Sequence, residues 1–82
     1  MELEEIKQLI LNGIPDAHVE VVDARGTGDH FNAIVVSESF EGISLVKQHQ
    51  MVYKTLEGYL TKEIHALQLK TLTRDQWQTD QR

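Results

Sequence analysis

Cysteine is absent from the 82-residue chain, which excludes disulfides, thiolate nucleophiles and any zinc or iron–sulfur centre that relies on the chain's own sulfur. Long apolar runs are absent too, since none approaches the ~20 residues needed to span a bilayer. The opening Met1-Glu2-Leu3-Glu4-Glu5 is acidic where a signal or transit peptide would be basic, so a cytoplasmic address with no membrane attachment is expected. Basic charge is scarce in the first half: residues 1–41 hold two Lys/Arg against nine Asp/Glu, whereas residues 42–82 hold six against four, within a net charge of -5. Only the second half could attract an anion. No Ser/His/Asp set, paired carboxylate or activated nucleophile stands out, and Asp29 beside His30 could act as an acid–base couple only with a pocket to work in. A chain this short buries roughly 60% of its unfolded surface, enough for one thin core but not for a large substrate cavity as well. No enzyme and no small-molecule substrate are expected.

What is present suits an ordinary globule, with 40% hydrophobic and 26% charged residues. One domain over residues 1–82 is expected, with a core of about 2–77 and a polar, frayed tail at 78–82. Leu3, Ile6, Leu9 and Ile10 fall at helical spacing ahead of an Asn12-Gly13 and Pro15 stop, predicting a helix over 2–12. His18 to Val21 alternates and Phe31 to Val36 is a β-branched run, so the two read as a hairpin across a flexible loop at 25–29. Beyond the turn at Phe40-Glu41-Gly42, the residues Leu45, His49, Val52, Leu56 and Leu60 trace an apolar stripe of one long helical region, which Ser44 could cap and Gly58 could divide. Residues 64–70 predict a third strand, with Leu67 and Leu69 on one face, and Thr73 with Gln76 forms a capping-box pattern ahead of a short helix carrying Trp77.

The order α-β-β-α(α)-β-α predicts an α+β fold, a three-stranded mixed sheet with helices on one face. If strand three lies beside strand two, the helical crossover makes them parallel, and both begin at the same end of the sheet. His30 precedes strand two and His65 stands near the start of strand three, so residues 35 apart are expected at one rim. Two imidazoles there could supply half of an open metal site. The plain structural reading makes His65 a partly buried, hydrogen-bonded histidine and His30 a solvated loop residue. His49 reads as a core histidine within the stripe, and His18 as an exposed strand residue without a role. Gly26-Thr27-Gly28 leads into a strand rather than a helix, which excludes a dinucleotide or phosphate-loop signature and leaves an adaptable tip. Lys47 and Lys54 oppose the stripe and, with Lys62, Lys70, Arg74 and Arg82, could form a weak phosphate-binding face, although such charges are usually just a solvated surface.

Phe40-x-Gly42-x-x-x-Val46-x-x-His49-x-x-Val52-Tyr53, followed by Ile64-His65-Ala66-Leu67-x-Leu69-Lys70-Thr71-x-Thr73-x-x-x-Trp77, resembles the signature of the BolA family across residues 3–77. The resemblance implies a fold similar to the class II K-homology domain; Gly42 in the turn, His49 in the stripe and Trp77 are read as structural residues. It implies a monothiol glutaredoxin as partner and a role in iron–sulfur cluster trafficking or iron-linked regulation. In such complexes a bridging [2Fe–2S] cluster takes a cysteine and a glutathione thiolate from the glutaredoxin side, and no cluster is tightly held by the isolated BolA-like chain. Here His65 matches the histidine of the Ile-His-Ala motif, and His30 best matches the loop ligand. The family is also linked to transcriptional regulation through the region around His49, which makes DNA an alternative partner of residues 44–62. The residues flanking that histidine are often arginine in the family and are Gln48 and Gln50 here, so two phosphate-seeking charges are missing while Lys47 and Lys54 remain. A third reading keeps the glutaredoxin but no cluster, with the histidines serving only the fold or the contact.

Overall fold

The computed structural model describes residues 1–80. In chain order it contains α1 (Leu3–Gly13), β1 (His18–Asp23), β2 (His30–Val36), a single 3-10 turn (Glu38–Phe40), α2 (Leu45–Thr55), β3 (Ala66–Leu72) and α3 (Arg74–Asp80). The strands form one sheet in the order β1-β2-β3. The hairpin pair is antiparallel, with Val19 opposite Val35, and β2 runs parallel to β3, with Phe31 opposite Leu67. A mixed three-stranded sheet within an α+β fold is therefore what the element order builds.

Strand alternation sorts side chains between the faces. Val19 and Val21, then Phe31, Ala33 and Val35, then Leu67, Leu69 and Thr71 share the inner face, as the pairing registers require. On that face α1 lays Ile6 and Ile10, and α2 lays Val52, with Leu56 just beyond the helix; Phe40 and Ile64 complete the fully enclosed core. The opposite face carries the row His18, Val36 and Leu72. There α3 closes the end of the sheet, away from the single face expected for all the helices, because Trp77 packs against His18 with ring centroids 5.3 Å apart. The capping pattern forms as expected, since Thr73 N–H donates to Gln76 Oε1 at 2.8 Å and Gln76 N–H donates to Thr73 Oγ1 at 3.2 Å. The helix then continues through residues 78–80, where a frayed tail was expected. Gln81 and Arg82, the end of that tail, lie outside the described residues.

The second helix keeps its predicted stripe at Val52 and Leu56, with Leu60 packed against the core, but departs from it in the first turns. Ser44 caps it, its hydroxyl accepting from Lys47 N–H at 3.3 Å, but the helix ends at Thr55 and no second helix forms before β3. Gln48 and Val52 face the core, while Leu45 is 61% exposed and His49 is only half-buried, its ring meeting Tyr53 edge-on at 6.2 Å. A glutamine occupies the inner position because its amide is fully used. Gln48 Nε2 donates to the carbonyls of Phe40 and Ile43, at 3.2 and 2.8 Å, and Oε1 accepts from the Thr71 hydroxyl at 2.7 Å. This bridge pins α2 to the preceding turn and to β3, and it makes an interior polar side chain tolerable. Gly42 sits in the turn it anchors, at a left-handed φ of 71° that side chains bearing a Cβ rarely adopt.

The phase of α2 can be tested by paired substitutions. Gln48→Leu strands the Thr71 hydroxyl and two carbonyls and should cost ~2 kcal/mol, read as a lower urea midpoint at unchanged m-value. Leu45→Ala should stay within ~0.5 kcal/mol of wild type. The reverse order would place Leu45, not Gln48, in the core.

Candidate metal centre at the end of the sheet

The loop between β1 and β2 is built around one carboxylate. Asp23 Oδ1 accepts from Arg25 N–H at 3.2 Å and Gly26 N–H at 2.8 Å, and Oδ2 accepts from Gly28 N–H at 2.8 Å. The left-handed conformations of Gly26 and Gly28, with φ of 72° and 76°, turn those amides inward. Partial desolvation opposes ionisation of Asp23, but the backbone donors prevail and hold its carboxyl below the ordinary value. The loop expected to be a slack tip is thus strapped from within.

Its last residue carries the site. The carbonyl oxygen of Asp29 accepts from both His65 N–H, at 2.8 Å, and Ala66 N–H, at 3.1 Å, so the start of β3 hangs on the residue just before β2. From there the parallel register places His30 opposite Ala66. The His30 and His65 rings meet with centroids 5.3 Å apart and planes inclined by 55°. The structure brings together the two histidines that the topology assigns to one rim. Their surroundings are the reverse of the plain structural reading, because His30 is half-buried and His65 is exposed.

Asp29 pairs with His30 as its neighbour in sequence suggests, at 2.8 Å between Oδ1 and Nδ1, and the same oxygen accepts from the Thr27 hydroxyl. The Thr27 hydroxyl first, then His30, hold the Asp29 carboxyl down to about 2. Asp23 and Thr27, which sequence reading passed over, therefore support the pair from behind. Their signal in the sequence is two aspartates bracketing Gly-Thr-Gly, a pattern in which short acidic side chains close turns through backbone amides.

Two imidazoles can complete a metal's coordination but cannot hold one unaided. Metal–nitrogen bonds of ~2.0–2.1 Å put two ring centroids roughly 5 Å apart when both rings address one ion, and His30 and His65 lie at 5.3 Å. Among the described residues no group of three or more His, Cys, Asp or Glu is arranged to hold an ion. The donor set fits a centre whose other ligands arrive from outside the chain.

The remaining named residues lie elsewhere. Lys47 and Lys54 are exposed and line a shallow depression with Ile43, Gln50 and Met51. Gln48 is interior and its amide is used within the fold, so it offers no contact to a phosphate, whereas Gln50 is exposed. Arg74 is engaged by the Asp16 carbonyl at 2.9 Å and by Glu38 at 3.7 Å. Among the described residues no helix is long and apolar enough to cross a membrane.

The charge state of the rim gives a direct check. A carboxyl whose folded value is depressed contributes stability that is present above its unfolded value, ~3.9, and lost as pH falls through the folded value, here about 2. Carbon-13 NMR titration of Asp29 should show a midpoint near 2, with the Thr27 and His30 contacts intact at pH 4. A midpoint near 4 would contradict the hydrogen bonds described.

Comparison with known proteins agrees with this architecture. The BolA-like protein family model matches residues 6–76. The acid stress protein IbaG of Escherichia coli K12 is 36% identical over 83 residues, covering 100% of this chain and 95% of that protein. The DNA-binding transcriptional regulator BolA of the same organism is 32% identical over 82 residues, covering 92% of this chain and 78% of the regulator. A solved bolA protein homologue from Coxiella burnetii superposes with a TM-score of 0.76 at 37% identity, covering 95% of this chain and 97% of its own. Fold, motif and relatives converge, and the chain belongs to the BolA family.

Proposed function

We propose that this chain is a non-enzymatic adaptor that docks on a monothiol glutaredoxin and lends His30 and His65 to a bridging [2Fe–2S] cluster. The observation that carries the reading is the pair of imidazoles 5.3 Å apart at the open end of the sheet, in a chain that has no cysteine. Thiolate from a partner cysteine and from glutathione would complete the set. The cluster supplies one-electron chemistry at a potential that histidine ligation raises relative to an all-thiolate centre. What the chain itself contributes is placement. The Asp29 carbonyl ties His65 and Ala66 to the residue just before His30, and the strapped loop limits the ordering that docking must still impose.

Anaerobic addition of the protein to a cluster-loaded monothiol glutaredoxin should change the visible circular dichroism, and His65→Ala or His30→Ala should abolish that change. The same spectrum from wild type and both variants would overturn cluster sharing. Complex formation by the apo proteins that survives both substitutions would leave a glutaredoxin contact without a cluster.

A second reading, DNA binding through residues 44–62, is favoured by one surface feature and one relative. Lys47 and Lys54 stand exposed two helical turns apart on α2, and a protein 32% identical is named a DNA-binding transcriptional regulator. With interior Gln48 unable to touch a phosphate, two lysines predict modest affinity. Binding to duplex DNA should weaken with salt, and replacing either lysine by alanine should lower the log–log salt slope by ~1. No binding at low salt removes this reading.

A further inference from the structure

The two histidines are not equivalent. His65 stands exposed just before β3, whereas His30 has one ring nitrogen committed to a neighbouring carboxylate, whose same oxygen also accepts from the Thr27 hydroxyl. An ionised carboxylate can only accept, so the 2.8 Å contact to Nδ1 requires the proton to sit on Nδ1. The lone pair of neutral His30 is then on Nε2. Behind the carboxylate stands the second brace, Asp23, whose three backbone contacts fix the course of the loop that delivers Thr27 and Asp29. The backbone of Asp29 separately holds His65 and Ala66, so the side-chain role can be changed without cutting the strand connection.

We infer that Asp29, braced by Thr27, is a positioning residue that sets the tautomer of His30 and presents Nε2 as its metal-binding nitrogen. The inference rests on the proposed metal role of His30. A carboxylate behind a ligating imidazole orients the ring and raises its basicity, and losing such a partner typically lowers metal affinity ~10- to 100-fold. His65 lacks that support and is the adaptable ligand of the two.

Asp29→Asn separates shape from proton placement. The amide keeps the volume of the carboxylate, but it can donate to Nδ1 and so stabilise the opposite tautomer, with the proton on Nε2. Long-range proton–nitrogen NMR of the isolated, metal-free chain at pH 8.5, where a free imidazole is neutral, should show His30 protonated on Nδ1 in wild type. In Asp29→Asn a substantial Nε2–H population should appear, and Asp29→Ala should fall between them. In the second measurement, affinity for cluster-loaded glutaredoxin should drop ~10- to 100-fold in Asp29→Asn, with a changed visible circular dichroism spectrum. An unaltered His30 tautomer in Asp29→Asn overturns the inference. So does an altered tautomer with undiminished affinity where His30→Ala lowers it. If His30→Ala itself leaves affinity unchanged, the shared-cluster reading fails, while the nitrogen spectrum of the free chain still decides whether Asp29 governs the tautomer.

Discussion

The parallel pairing of β2 with β3 begins at a single acceptor, the carbonyl oxygen of Asp29, which takes N–H groups from both His65 and Ala66. From there the register runs through seven paired positions to Val36 opposite Leu72. With it, residues 35 positions apart in the chain are brought to a ring separation of 5.3 Å. A parallel pair can be reached only through a crossover, and here α2 makes that crossover while closing the inner face of the sheet. Fold and site thus draw on the same hydrogen bonds.

A small domain has little core to spend on holding a site, and this one economises by letting local groups do it. The loop carboxylate Asp23 satisfies backbone amides that would otherwise need water, and it does so next to the rim rather than within the core. Gln48 plays the corresponding part at the other end of the crossover, joining α2, the turn before it and β3 through three hydrogen bonds. Both are polar side chains replacing tertiary packing where apolar residues are few. Each works because every one of its bonding atoms has a partner. Trp77 against His18 finishes the far end of the sheet, leaving the rim with His30 and His65 open.

Periodicity made most of the elements legible. Ile6 and Ile10 on α1, the alternation of β1 and β2, and the Thr73–Gln76 cap are properties of short stretches whose geometry repeats every two or 3.6 residues. The inner face of the first turns of α2 was not legible: Val52 and Leu56 are buried as their spacing suggests, but Gln48 turns inward in place of Leu45 and His49 once its amide finds partners. Those partners, the carbonyls of Phe40 and Ile43 and the hydroxyl of Thr71, come from three separate places in the chain. The helix also stops earlier than its apolar spacing suggests, since the segment from Leu56 to His65 turns instead and is held by backbone bonds such as Ile64 N–H to the Tyr59 carbonyl, 2.9 Å.

Composition alone determined that any cluster ligated by thiolate must borrow its sulfur from outside, because no cysteine exists to supply it. The order of elements was enough to assign the two relevant histidines to a common end, given that crossover connections leave parallel strands starting together. Only the tertiary structure decided how those histidines differ. Burial and hydrogen bonding depend on which backbone atoms the loop folds toward, and that choice gave His30 a carboxylate at 2.8 Å while leaving His65 in solvent.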